Sequence, residues 1–329
     1  MQRTQLIDTL RGLAMLVMIL THTTVFFLQD PTANFLWNWS HFAVPIFVFC
    51  SVYLFFKKSL HEKIVFWSFI KKRFIRLLIP YYWFLVFFLI VLFFTKPETL
   101  SIKYILQSIF VIGGVDINWL VLLFMMITII LPFFAWSFNK AKTLFWGFFG
   151  LSLISTAILL FVSPDISYKA IMWLPWSTVL FVTLFYVLHQ KAKKALYLLF
   201  LVSGVTCLIT ACIQLQQHHS LVLINNKYPP NLFYLSYGIT ILLGLTLLPE
   251  KLFAHALFLK TVNFFSKFSY SIYFIHYLIL TIMATVITQW HFTWYTFFLM
   301  ILMTTIGAQL LMNIFQKEVL KKLFANKTN

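Results

Sequence analysis

The sequence has few charged residues, few glycines and few cysteines. Only 10% of its 329 residues are charged and 61% are hydrophobic, whereas charged residues make up about 25% of an ordinary soluble domain. This composition excludes a soluble globular domain and predicts a polytopic membrane protein. The three cysteines, Cys50, Cys207 and Cys212, all lie inside apolar runs, so they predict neither a disulfide framework nor a metal site.

Acidic residues are especially scarce, and the balance of charge is strongly basic. Eight Asp and Glu residues stand against 25 Lys and Arg, which gives a formal net charge of +17. In a soluble protein such an excess suggests binding to nucleic acid. In a membrane protein, the positions of the basic residues relative to the spans matter more than their number.

Ten apolar segments can be drawn along the chain, each close to the roughly 20 residues that a bilayer requires. They lie near 9–28, 41–57, 77–95, 117–137, 143–162, 170–188, 195–215, 231–248, 268–288 and 294–314. With the N-terminus inside, 21 of the 25 basic residues fall on the cytoplasmic side, and only Lys96, Lys103, Lys169 and Lys227 fall outside. This asymmetry predicts an all-α polytopic membrane protein with about ten transmembrane helices and both termini cytoplasmic. The asymmetry also explains the net positive charge through membrane topology, so nucleic acid is not expected as a partner.

The first apolar segment has ionisable residues at both ends. Arg11 and His22 are eleven residues apart, so they share one stripe of a helix at a separation of roughly 16 Å. Asp8 lies three residues before Arg11 and can pair with it. An ionisable residue inside a span is a functional hypothesis by default. The alternative is a positive-inside Arg beside a histidine near the far interface, and the spacing alone leaves both interpretations open.

The densest charged segment runs from Lys57 to Arg76. Its centre, 64–70, is apolar enough to lie in the interface plane, and Pro80 is expected in the first turn of the next span. Lys72 and Arg76 are one helical turn apart, with Arg73 between them. These residues predict either an anchor on anionic lipid or a cradle for phosphates. Composition alone favours the lipid anchor.

Four further features are less decisive. The stretch 101–114 is too short for a span and is expected to be a re-entrant or interfacial piece. Trp119 follows it and is expected in the aromatic belt. His218 and the adjacent His219 are expected to be a solvated loop pair. His276 lies about 10 Å deeper than Ser269 along a helix, and a hydrogen bond to a neighbouring helix explains it as well as catalysis does.

The run Asp8-x-Leu10-Arg11-Gly12 followed by His22 resembles the first helix of the acyltransferase-3 family of membrane-bound O-acyltransferases. Further segments match the family pattern in the same order: Val44-Pro45-Ile46-Phe47 with Ser51, Lys71 to Pro80, Trp119-Leu120, and Ser269 to His276. The segment Lys71 to Tyr81 looks most like the branch that modifies surface polysaccharides. One departure is clear, since the usual Ser-Gly-Phe reads Ser51-Val52-Tyr53 here, which puts close backbone approach at that point in doubt.

The resemblance implies one integral-membrane acyltransferase domain over residues 1–329. It also implies a multi-pass protein of the cell membrane, specifically the bacterial plasma membrane. It implies transfer of an acyl group, usually acetyl, from acetyl-CoA or another acyl-CoA to a hydroxyl of a cell-envelope polysaccharide or its lipid-linked precursor. The acyl-CoA is a co-substrate, no cofactor is expected to be bound permanently, and membrane lipid is the other expected partner.

The resemblance also suggests roles for particular residues. His22 is expected to be the general base, because an alcohol attacks only after a base of near-neutral pKa takes its proton. Arg11 and Asp8 complete the catalytic group, and Lys72, Arg73 and Arg76 are expected to bind the donor. Substrate-binding or structural roles are left for Trp119, Ser269, Tyr273 and His276. The competing class is a transporter or flippase for a lipid-linked saccharide, but the sequence shows no internal repeat and only nine glycines, which favours the enzyme.

Overall fold

The computed structural model describes residues 5–325 except 61, 63, 254, 286 and 288–290, and these residues form helices without a β-strand. The helices are α1 (Gln5–Thr24), α2 (Pro31–Trp39), α3 (Ala43–Ser59), α4 (Phe66–Thr95), α5 (Ile102–Ile109), α6 (Asn118–Lys140), α7 (Lys142–Ile158), α8 (Tyr168–Ile171), α9 (Trp173–His189), α10 (Lys193–Gln216), α11 (Leu232–Leu247), α12 (Ala256–Lys267), α13 (Ser269–Met283) and α14 (Trp294–Ala325).

The apolar helices coincide with the ten predicted segments. Seven stretches are long and apolar enough to cross a membrane: 5–27, 31–59, 66–95, 118–140, 168–189, 193–216 and 294–318. The other three segments correspond to the shorter apolar helices α7, α11 and α13. The prediction of an all-α polytopic membrane protein is therefore confirmed.

Helix α1 lies at the centre of the packing, where it contacts α3, α12, α13 and α14. Its closest neighbour is α12, because a methyl group on Gly12 would overlap the backbone carbonyl of Val262. A similar approach brings α11 onto α3, where a methyl group on Gly238 would overlap the ring of Pro45. Close backbone packing of this kind is how membrane helices associate without a hydrophobic driving force.

Helix α4 begins earlier than predicted and includes the basic segment. It runs unbroken for 30 residues from Phe66 to Thr95, with Pro80 in its interior. The expectation of a separate interfacial segment ending at a helix-opening Pro80 is therefore wrong. Membrane helices tolerate an interior proline because neighbouring groups satisfy the freed carbonyl. As a result, Lys72, Arg73 and Arg76 extend from one end of a spanning helix.

The stretch 101–114 is not a span, as predicted. It contains the eight-residue helix α5 and a turn that leads into α6. The turn is held by Ser108, whose Oγ accepts a hydrogen bond from the Val115 amide at 3.2 Å. Gly114 has a φ of 70°, a conformation that glycine adopts without strain. One face of α5 exposes Ile102 and Leu106, which is typical of an interfacial helix.

The loop between α10 and α11 is ordered over the bundle end. His218 and His219 are exposed, as predicted for a solvated pair. The loop docks on α2, because the Leu223 amide donates to Oδ1 of Asn38 at 2.8 Å. Buried Asn226 hydrogen-bonds with side chains on both sides of the loop. The residues that follow Asn226 are therefore held in place.

Candidate active site

Two histidines from different helices meet inside the bundle. Nδ1 of His22 on α1 lies 2.8 Å from Nε2 of His276 on α13. The rings are nearly parallel, with an interplanar angle of 9° and centroids 5.1 Å apart. His276 is fully buried, whereas His22 is only partly buried. The structure thus brings together the two intramembrane histidines that the sequence singled out.

The hydrogen bonds define which nitrogen of each histidine carries the proton. Nδ1 of His276 is 2.9 Å from the Ile272 carbonyl, and a carbonyl only accepts, so this nitrogen must donate. In the neutral ring, Nε2 of His276 is then an acceptor, and His22 must donate to it from Nδ1. Nε2 of His22 is left with its lone pair and has no hydrogen-bond partner among the described residues. This arrangement is that of an oriented base.

The predicted Asp8–Arg11 pair forms at the other end of α1. Nη1 of Arg11 lies 3.9 Å from Oδ1 of Asp8, and the Ser266 hydroxyl donates to the same carboxylate at 2.9 Å. Ser266 belongs to α12, the helix that packs closely on α1. Asp8 therefore connects Arg11 on α1 with Ser266 on α12. Arg11 lies eleven residues before His22 on α1.

Arg11 lines a cavity of about 600 Å³ together with the basic end of α4. Five basic side chains and one acidic side chain contribute to the cavity: Arg11, Lys58, Lys72, Arg73, Arg76 and Glu62. Most of the remaining lining is apolar or aromatic. All six charged residues belong to the side predicted to be cytoplasmic. A cationic rim with apolar walls suits a ligand that carries phosphates and a long, weakly polar arm.

Arg73 is held in this cavity by a specific contact. Its guanidinium donates to the hydroxyl of Ser51 on α3 and lies 5.6 Å from the ring centroid of Phe69.

Val52, which follows Ser51, stands where the family pattern has glycine. It is completely buried, so its side chain fills that space. Tyr53 is also buried and donates to Oε1 of Gln190 at 3.3 Å. The departure from the Ser-Gly-Phe pattern is therefore accommodated by core packing.

One face of α13 connects the cavity with the histidine pair. Ser269 and Tyr273 both line the cavity. The hydroxyl of Tyr273 donates to the Ile117 carbonyl at 2.9 Å, and its ring centroid lies 5.9 Å from that of His276. A ligand in contact with Tyr273 in the cavity is therefore separated from His276 by the Tyr273 side chain.

Trp119 lies inside the protein, so the expectation of an aromatic-belt residue is wrong. Only 7% of its surface is exposed, and its ring packs edge-on against Tyr228 with centroids 4.9 Å apart. The ammonium of Lys227 lies 5.0 Å from the Trp119 ring centroid. The loop between α10 and α11 folds back over the start of α6 and covers this ring.

Lys227 and His41 are two polar residues of this region that sequence reasoning missed. The charge distribution predicts Lys227 only as one of the four basic residues outside, whereas its side chain is buried and only 5% exposed. Burial lowers the pKa of Lys227 from its usual value to about 7. His41 is 4% exposed, and its Nε2 has no hydrogen-bond partner among the described residues. No signal in the sequence separates these two from ordinary loop and interface residues, because their burial depends on how the outer loop folds.

Together, these features describe a multi-pass membrane protein with an oriented histidine pair next to a basic cavity. The chain belongs to the acyltransferase-3 family, whose sequence model, described as an acyltransferase domain, matches residues 5–313. It is therefore a membrane acyltransferase, and the transporter alternative loses its basis. No curated protein and no solved structure matches the chain significantly.

Proposed function

We propose that the protein transfers an acyl group, most simply acetyl, from acyl-CoA to a hydroxyl of a cell-envelope polysaccharide or its lipid-linked precursor. The observation that carries the proposal is the hydrogen-bonded chain from Ile272 through His276 to His22, which leaves a free lone pair on a partly accessible ring. A base oriented in this way suits an alcohol acceptor, which needs deprotonation as it attacks.

His22 is the general base of the proposed reaction. Its Nε2 takes the proton of the acceptor hydroxyl while the hydroxyl oxygen attacks the thioester carbonyl carbon. The C–O bond forms, the tetrahedral intermediate collapses, the C–S bond breaks, and the coenzyme A thiolate receives the proton from His22. His276 is a positioning residue, since its Nε2 accepts the Nδ1–H of His22 and stabilises the transient imidazolium.

The basic cavity is the proposed donor site. Arg73, held by Ser51, and Arg76 both line this cavity, and their planar forks suit the phosphates of coenzyme A. Arg11 lies in the same cavity and is oriented by Asp8. The thioester end of the donor then extends along the Ser269–Tyr273 face of α13 towards His276. The support for this direction is that Ser269 and Tyr273 line the cavity and that the Tyr273 ring centroid lies 5.9 Å from that of His276.

The test is acyl transfer by the purified full-length protein in detergent. We expect release of free coenzyme A thiol from acetyl-CoA, measured with a thiol reagent, to increase with a hydroxyl-bearing glycan from a panel of envelope saccharides. Mass spectrometry of the acceptor should then show one added acetyl group. Unchanged thiol release and unmodified glycans across the panel would contradict the proposed acceptor class, and a preference for succinyl-CoA would change only the acyl group.

A further inference from the structure

Lys227 is a buried cation that the proposed transfer step leaves unused. Its ammonium is 5.0 Å from the ring centroids of both Trp119 and Tyr228. In the part of the chain that the structure describes, no carboxylate forms an ion pair with it and no acceptor hydrogen-bonds to it. A buried charge without a counter-charge is costly. An anion that arrives with a ligand would stabilise this arrangement.

His41 supplies a second polar atom without a partner in the same region. Its Nε2 is buried and makes no hydrogen bond among the described residues. Its position is fixed, since the Tyr234 hydroxyl donates to the His41 carbonyl at 2.9 Å and Trp37 packs edge-on against its ring. Lys227 lies within electrostatic range of both His41 and His22. Two unused polar groups therefore lie near the proposed base.

We infer that Lys227 and His41 form an anion subsite for the acceptor, so that the acylated substrate carries a phosphate or carboxylate group near its reacting hydroxyl. The inference rests on the proposed function, because it assigns the acceptor chemistry of the site at His22. The rings of Trp119 and Tyr228 provide apolar walls beside the charge. Aromatic walls with a few fixed polar groups are typical of small-molecule sites.

The position of this subsite also indicates the direction from which the acceptor comes. Lys227 lies in the loop predicted to be outside, whereas the basic cavity is lined by residues predicted to be inside. A cavity of about 240 Å³ lies beside the subsite and is bounded by Tyr168, Tyr228 and Asn225 among others. Tyr228 thus contacts Lys227 and also lines an open space on the same side. Donor and acceptor would reach His22 from opposite ends of the bundle.

The experiment measures binding of simple sugars to the purified full-length protein in detergent, without acyl-CoA. The probes are glucose 1-phosphate, glucuronate and neutral glucose, and the readout is the shift in Tm with probe concentration. We expect the anionic sugars to bind more tightly than glucose. Lys227→Gln should weaken their binding roughly 10–100-fold, the usual effect of losing a hydrogen bond to a charged group. Lys103→Gln removes an exposed lysine on the same predicted side and is the matched control.

The charge itself can be tested separately. Lys227→Arg keeps a cation that does not titrate, so it should retain the preference for anionic sugars. Because the pKa of Lys227 is about 7, the affinity of the native protein for glucuronate should fall between pH 6 and 8.5, and the Arg variant should show a smaller fall. The titratable groups around the ammonium and the adjacent Tyr228 ring are present in both proteins: His22, His41, Tyr228, Tyr168, Tyr273 and Asp116.

Two results would overturn the subsite. One is equal binding of glucose and the anionic sugars. The other is unchanged binding of the anionic sugars in Lys227→Gln. If that variant also showed slower transfer at saturating substrates, Lys227 would belong with the reacting atoms instead. Coenzyme A binding, followed by the same Tm assay and weakened by Arg73→Gln, tests the donor site independently. The anion subsite can therefore fail while the proposed function stands.

Discussion

Nδ1 of His22 lies 2.8 Å from Nε2 of His276, although the two residues are 254 positions apart in the chain. This contact links α1 to α13 and leaves Nε2 of His22 as the nitrogen of the pair that can accept a proton. It also separates the roles of the two histidines, since His22 is partly accessible and His276 is fully buried.

His22→Ala is expected to lower kcat by about 10²–10⁴-fold, the usual contribution of a general base. Expression and membrane insertion should be unchanged, because the side chain is only partly buried. Coenzyme A thiol release in the purified protein measures the effect. His189→Ala is the matched control, since His189 stacks on Phe185 away from the pair. Near-normal transfer by His22→Ala with complete loss in His276→Ala would place the base on α13.

His276→Gln should retain more activity than His276→Ala. A glutamine oxygen can accept the Nδ1–H of His22, whereas alanine leaves that donor without a partner inside the protein. The pH dependence of kcat distinguishes positioning from packing, because loss of the acceptor should shift the acidic limb that reports on His22. Equal activity and identical pH profiles of the two variants would contradict a positioning role.

The sequence predicted the all-α polytopic fold and singled out ionisable residues inside the spans, for a physical reason. Spans and ionisable residues within them are local features, so Arg11, His22 and His276 stand out in apolar runs. The hydrogen bond between His22 and His276 could not be predicted, because spacing along one helix carries no information about which helix lies opposite.

Lys227 and Pro80 show the limits of local patterns. Lys227 looks like an ordinary loop charge until the loop folds over Trp119 and buries it. Proline is most often found in the first turn of a helix, yet Pro80 lies in the interior of α4. In both cases tertiary packing within the bundle overrides the preference of the residue.

Arg73→Gln and Arg76→Gln are each expected to raise KM for acetyl-CoA roughly 10–100-fold, the cost of losing a charge-assisted hydrogen bond. The KM for the acceptor should change little, because the cavity that both arginines line does not include Lys227 or Trp119. Lys71→Gln is the matched control, since Lys71 is an exposed neighbour on α4 that does not line the cavity. An unchanged donor KM in well-folded variants would leave anchoring on anionic lipid as the better account of these residues.

The positive-inside distribution predicts which bundle end faces the cytoplasm. Exposed positions that suit labelling are Lys191 at one end and Gln217 at the other. In a protein without its three native cysteines, a membrane-impermeant maleimide applied to intact cells should label Gln217→Cys. Lys191→Cys should react only after permeabilisation. The reverse pattern would overturn the predicted orientation and place the basic cavity outside.

Gly12→Ala tests whether the contact between α1 and α12 positions the site. The added methyl group would overlap the backbone carbonyl of Val262, and a backbone atom cannot move aside as a side chain can. The two helices must separate, which should cost about 1–3 kcal/mol and lower the Tm in detergent. Since Ser266 on α12 donates to Asp8, separation should also loosen Arg11 and raise KM for acetyl-CoA. Gly147→Ala is the control, because its methyl group would meet nothing within 4 Å. If both variants show the native Tm and KM, the close approach of α1 and α12 is not needed to hold Asp8 and Arg11 in place.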